Sequence, residues 1–263
     1  MTRRSRPPLP LLVLAAGAVG FVVLPLVALV LRAPVGGLGR ELASPAVRTA
    51  LRLSLVCSLS ALAVSVVLGV PLAWVLARVE FRGRRLVRAL TILPMVFPPV
   101  VGGVALLMAF GRSGVLGGPL ADWFGIRLPF TTAGAVLAEA FVAMPFLVVT
   151  TEAAFRSTDR RYEDAARTLG AGRWTVLWRV TLPLARPGLV AGAVLCWARA
   201  LGEFGATITF AGNTPGRTQT IPLQVYLLIE SGRLDSALVL SLVMVVVSVA
   251  VLVGLQDRWL RNL

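Results

Sequence analysis

Four stretches of this chain run for more than 20 residues without a charge: Leu9–Leu31 (23 positions), Leu53–Ala77 (25), Ala89–Gly111 (23) and Ser236–Gln256 (21). A fifth, Leu128–Thr151, contains the single charge Glu139. A bilayer core of roughly 30 Å is crossed by about 20 apolar helical residues, and hydrocarbon admits only helices or closed barrels because every backbone group must find a partner inside the protein. The remaining apolar stretch, Leu182 to about Thr207, is interrupted by Arg186, Arg199 and Glu203. Together the runs predict an all-α polytopic membrane protein with six spanning helices. Leu9–Leu31 follows Arg3, Arg4 and Arg6 as a secretory signal would, but its apolar run exceeds the 7–15 residues of a signal core, so an uncleaved first span is expected.

Composition excludes the soluble alternative. Apolar residues make up 57% of the chain and charged ones 14%, against about 25% charged in an average soluble protein. The net charge of +14 comes from 26 basic residues, all arginine, and 12 acidic ones. The arginines punctuate the apolar runs and therefore report topology. The amino-terminal tail, Arg78–Arg88, Glu152–Arg186 and the carboxyl-terminal end hold 17 of them, and the other three connections hold 9. An even number of spans and this bias agree on cytoplasmic termini. The expected organisation is a tail, first helix and outer loop over 1–45, a core over 46–256 with a cytoplasmic loop over 152–186, and a tail over 257–263.

Two absences remove much chemistry. Without lysine there is no G-x4-G-K-[ST] phosphate loop and no Schiff base; without histidine there is no Ser-His or Cys-His pair, nor the usual catalytic zinc ligands. No cofactor and no metal are expected. Cys57 and Cys196 stand alone in apolar surroundings and read as small buried hydrophobes. Intramembrane proteolysis needs an aspartate pair, a Ser-His pair or a metal, none of which the spans supply. Ion-coupled secondary transport remains open to a six-span protein with proline-broken helices, though Glu139 and Glu203 are the only intramembrane carboxylates.

The cytoplasmic loop is the most informative segment. Asp159 is a plausible N-cap, with Glu163 and Asp164 near the first turn where the helix dipole favours negative charge. Tyr162, Ala165, Ala166 and Leu169 recur at the 3/4 spacing of one helical face, and Gly170 or Gly172 supplies the left-handed stop. The two alanines make a small, smooth knob suited to a groove on a soluble partner, or to lying on the membrane surface. Beyond Arg173, Trp174 and Trp178 sit one turn apart and suit the headgroup level.

Asp164-Ala165-Ala166, three residues, Gly170, nine residues, Val180, one residue and Leu182-Pro183 resembles the Glu-Ala-Ala loop of permease subunits of ATP-binding-cassette importers. Aspartate replaces glutamate at 164, and valine replaces isoleucine at 180. A closer similarity, over roughly Ala46–Leu255, is to the molybdate permeases, with sulfate and tungstate permeases as close relatives. It is carried by Leu93-Pro94, by Pro98-Pro99-Val100-Val101-Gly102, by Ala165–Trp174, by Leu201-Gly202-Glu203-Phe204-Gly205-Ala206-Thr207-Ile208-Thr209-Phe210 and by Pro215–Pro222. The resemblance implies a type I importer permease fold and a plasma-membrane homodimer. It also implies two separate cytoplasmic ATPase subunits, which bind the ATP and dock on Asp159–Arg173, and an extracytoplasmic protein that delivers the oxyanion.

Ionisable groups inside a bilayer are costly and default to functional candidates. Arg199 and Glu203, four residues apart, form either a structural ion pair or a positive element on an oxyanion route tempered by a carboxylate. Gly202 and Gly205, with Phe204 between them and Thr207 and Thr209 beyond, make this segment either an irregular gate or a plain helix end. Pro98 and Pro99 free backbone groups in the third span, which points it at other helices or an aqueous path. Glu139 is expected to serve helix packing, hydrogen-bonded to a neighbouring span or protonated. Arg217, Thr218, Gln219 and Thr220 lie in the outer connection and read as a solvated loop, the alternative being contact with a binding protein or the anion.

Overall fold

The computed structural model describes residues 8–260, with side chains described as far as residue 250. Arg3, Arg4, Arg6 and Arg261, which contribute to the orientation argument, lie outside the described residues, as does the side chain of Arg258. Among the described residues the structure is entirely helical.

The helix α1 (Leu9–Arg32) is apolar on every side and has no buried residue, so it stands at the periphery. After a short 3₁₀ turn at Val35–Gly37 come α2 (Leu38–Ala43) and α3 (Pro45–Arg78). The start of α3 is set by Ser44, whose hydroxyl accepts the Val47 amide at 3.3 Å, a side-chain N-cap. The central element is α7 (Thr132–Ser157), capped by Thr131 and with 13 of its 26 residues buried. It packs against α3, against α10 (Leu182–Leu201), and less extensively against α4 (Arg84–Val96) and α11 (Gly205–Ala211). Small residues let these backbones approach, as membrane helices require. A Cβ at Gly188 would lie 2.2 Å from the Ala154 Cβ, and one at Gly192 3.1 Å from the Leu147 carbonyl. Cys57 and Cys196 are both free and fully buried, as expected.

Among the described residues four helices are long and apolar enough to cross a bilayer: Leu9–Arg32, Pro45–Arg78, Thr132–Ser157 and the continuous run Arg173–Leu201. The expected third span, Ala89–Gly111, is not one straight helix. It is broken into α4 and α5 (Pro99–Phe110), bent by 120°, and counts as a fifth span only if the pair is taken together. The cause is Phe97-Pro98-Pro99. Phe97 and Pro98 take extended ψ values of 140° and 131°, because a residue before proline is pushed out of the helical region and proline has no amide to continue the ladder. The expected fifth span is also shorter than the sequence suggested: α10 ends at Leu201, and α11 begins only after the break at Gly202–Phe204. Helix α6 (Gly117–Phe124) follows α5, and the Thr214–Thr220 loop leads to α12 (Ile221–Glu230). The last helix, α13 (Leu234–Leu260), contains the expected sixth run; its apolar part with described side chains is Leu234–Ala250.

Candidate functional site

Two places gather the residues singled out from sequence. The first is the knob α8 (Arg160–Thr168). The Asp159 carboxylate accepts the Arg161 amide at 3.0 Å and starts the helix. Gly170, at φ +84°, ends it: the Gly170 amide donates to the Arg167 carbonyl at 2.9 Å and the Ala171 amide to that of Ala166 at 3.0 Å, the paired closure of a Schellman stop. Gly170 therefore supplies the stop, and Gly172, at φ −68° and ψ 162°, needs no glycine-specific backbone. Tyr162 (60% exposed), Ala165 and Leu169 (89% exposed) present one open face, with Ala166 half-buried beside it. Asp164 is exposed too and pairs with Arg167 at 3.1 Å.

Glu163 lies in the first turn of α8, as expected. It is 5% exposed, and it turns inward to meet Arg78 at the end of α3, with Nη2 to Oε1 at 2.7 Å. The Thr181 hydroxyl donates to the same oxygen at 3.1 Å, from a π-helical segment, Leu177–Thr181, that leads from α9 (Arg173–Val176) into α10. Arg78 also donates to the Thr158 carbonyl at 3.3 Å. Alongside, Glu152 of α7 accepts from Arg88 of α4 at 2.5 Å and from Arg156 at 2.9 Å, while Arg84 Nε donates to the Leu76 carbonyl at 2.8 Å and caps α3. Three arginines of the Arg78–Arg88 segment, which sequence reasoning read only as topology signals, thus fasten the α8 end of the bundle, through contacts 64 and 85 positions long to which no local sequence signal points. Arg173 opens α9, and Trp174 (73%) and Trp178 (65%) are exposed after it.

The second place lies where the two broken spans meet. A Cβ on Gly205 would come within 2.8 Å of the Pro99 Cβ, and one on Gly103 within 2.6 Å of the Thr209 Cβ, so α5 and α11 touch through glycines. Pro98 and Pro99 thereby lie against the segment that follows Arg199. Arg199 and Glu203 pair at 2.6 Å, with the Glu203 side chain 1% exposed. Glu203 also accepts the Ala206 amide at 2.8 Å and so caps α11. Phe204 packs against Tyr226 with ring centroids 5.0 Å apart. Thr207 is fully buried, and its hydroxyl has no hydrogen-bond partner. Gly202 has neither a left-handed φ nor a close neighbour where its Cβ would stand.

Glu139 of α7 borders this seam. Its neighbour Ala138 clusters with Ala206, and its other neighbour Ala140 clusters with Ala200. The carboxyl is 2% exposed and one of its oxygens lacks any hydrogen-bond partner, so the expected bond to a neighbouring span is not made. The outer loop also differs from expectation. Thr218, Gln219 and Thr220 are buried, not solvated, while Arg217 is exposed together with Thr214, Pro215 and Gly216. The loop folds on itself, with the Thr214 amide donating to Thr218 Oγ1 at 2.8 Å, and it is tied to α7 by Thr132 Oγ1 donating to the Arg217 carbonyl at 2.8 Å.

Residues 65–262 match the family described as the binding-protein-dependent transport system inner membrane component. The chain is 48% identical over 244 residues to the molybdenum transport system permease protein of Mycobacterium tuberculosis, covering 93% of this chain and 92% of that one. It is 44% identical over 214 residues to the corresponding protein of Escherichia coli K12, covering 81% and 93%. Its fold is similar to a chain in the crystal structure of a bacterial alginate ABC transporter in complex with an alginate pentasaccharide-bound periplasmic protein, with a TM-score of 0.70, 20% identity and 92% of each chain covered. The chain belongs to the family of inner-membrane components of binding-protein-dependent transport systems, and it is a transport subunit, not an enzyme.

Proposed function

We propose that this chain is the membrane subunit of an ATP-driven importer that carries an oxyanion, molybdate, across the plasma membrane. It works as a homodimer with two cytoplasmic ATPase subunits and an extracytoplasmic binding protein, and ATP stays on the partner. The observation that carries the reading is α8. It is a helix capped at both ends, it turns its charged Glu163 into the bundle, and it leaves Tyr162, Ala165 and Leu169 open. Such a knob suits a groove on a soluble ATPase. The 48% identity to a molybdenum permease supports the cargo.

In this reading the chain has six spans, α1 within 1–45 and five in the core over 46–256 with α13 the sixth, and both termini are cytoplasmic. The Arg78–Glu163 contact supports the orientation, because the two arginine-rich connections meet in it. Closure of the ATPases draws the two α8 knobs together and rocks the bundle between inward-open and outward-open states. The anion passes the seam between α5 and α11. There Arg199 supplies positive potential that Glu203 tempers, so that the ion is conducted without being trapped, while Pro98, Pro99, Gly202, Phe204, Gly205 and Thr207 shape the opening.

Uptake of labelled molybdate, tungstate and sulfate into proteoliposomes holding the permease, its ATPase and its binding protein tests the proposal. Molybdate uptake that needs ATP supports it. Selective uptake of sulfate or tungstate transfers the same mechanism to a different cargo. Uptake driven by an ion gradient without the ATPase contradicts it.

A further inference from the structure

A docking knob can only drive a bundle if its displacement reaches the spans. Helix α8 is joined to its neighbours by short turns, Thr158-Asp159 before it and Leu169–Gly172 after it, which by themselves would let it swing. One buried contact removes that freedom. The Glu163 carboxylate accepts from Arg78 of α3 at 2.7 Å and from Thr181, on the segment entering α10, at 3.1 Å. The same guanidinium group reaches the Thr158 carbonyl at the exit of α7. The side chains of Arg78 and Glu163 are 7% and 6% exposed, so water does not compete for the pair as it does at a surface bridge.

We infer that Arg78 and Glu163 are positioning residues for transport: their buried pair, with Thr181, is the strut that makes α8 move as one body with α3, α7 and α10. A guanidinium suits this place because Nη2, one arm of its rigid planar fork, donates to both the carboxylate and the carbonyl from fixed positions, whereas the hydrogens of a lysine ammonium rotate freely. The inference deepens the proposed ATPase docking at α8. It adds that docking and transmission use opposite faces of the same helix, Ala165 and Leu169 outward and Glu163 inward.

The test uses the full transporter in proteoliposomes, reading two quantities: co-purification of the ATPase with the permease, and labelled molybdate imported per ATP hydrolysed. The paired change Arg78→Gln with Glu163→Gln leaves no buried charge unmatched. It is expected to keep co-purification and to lower import per ATP about tenfold, inside the usual range for coupling between distant sites. Unchanged import per ATP would overturn the strut, and so would loss of co-purification, since Glu163 would then serve docking. Should the paired variant fail to insert, Arg78→Lys gives the same reading: it keeps the charge and gives up the fork, and wild-type import per ATP in that variant overturns the inference too. Ala165→Trp on the outer face separates the two ideas. It abolishes co-purification if α8 is the docking element, and if co-purification survives, the docking reading fails whatever the strut variants show.

Discussion

The α8 end of the bundle and the seam within it handle buried charge differently. At the α8 end each buried carboxylate is multiply held, Glu163 by Arg78 and Thr181 and Glu152 by Arg88 and Arg156, and the group among these left without a hydrogen-bond partner is a guanidinium nitrogen, Arg78 Nε. In the seam Glu203 pairs with Arg199 and accepts the Ala206 amide, but one oxygen each of Glu203, Glu139 and Thr207 has no hydrogen-bond partner. There the contact between α5 and α11 is made through glycines, Gly205 on Pro99 and Gly103 on Thr209. Buried polar groups that are fully satisfied make a region rigid, and those left partly unsatisfied make it costly to keep closed. The difference bears on the proposed function, in which the α8 end stays intact and transmits while the seam parts.

The contrast can be broken by substitution. The largest effect belongs to Arg78→Ala, which strands the Glu163 carboxylate and should lower stability by about 3–5 kcal/mol, as breaking one side of a buried pair does; thermal unfolding in detergent reads it. Gly188→Val comes next, because its Cβ would overlap Ala154 at 2.2 Å. The overpacking cost is about 1–3 kcal/mol, and the same melting curves check it. Gly170→Val forces a β-branched residue to φ +84°, at a cost of about 1–2 kcal/mol. Its effect on stability is modest, while ATP-coupled uptake should be lost with membrane insertion preserved. The smallest belongs to Glu139→Gln. It replaces a carboxyl with no pairing cation by an isosteric amide and should change stability by less than about 1 kcal/mol; a loss on the scale of Arg78→Ala would show that the seam is as tightly built as the α8 end.

What the sequence disclosed and what it concealed follow from the range of the interactions. The knob was legible because its signals are local: Asp159 caps an amide two residues away and Gly170 closes the helix on residues within one turn. The inward turn of Glu163 was not, since Arg78 lies 85 positions earlier, and an acid near a helix start has a sufficient local explanation in the dipole. The break of the third span was signalled by Pro98 and Pro99, yet the uncharged run around them looked like one helix, and nothing local showed that Pro99 would pack on Gly205 of α11. The burial of Thr218–Thr220 was concealed for the same reason as that of Glu163, its tie to Thr132 being equally long in sequence.

The central claim is that a separate ATPase drives this bundle through α8. Labelled molybdate uptake into proteoliposomes, compared with and without the ATPase subunits at equal amounts of permease, addresses it most directly. The account predicts ATP-dependent accumulation when both are present and none from the permease alone; accumulation by the isolated permease would contradict it.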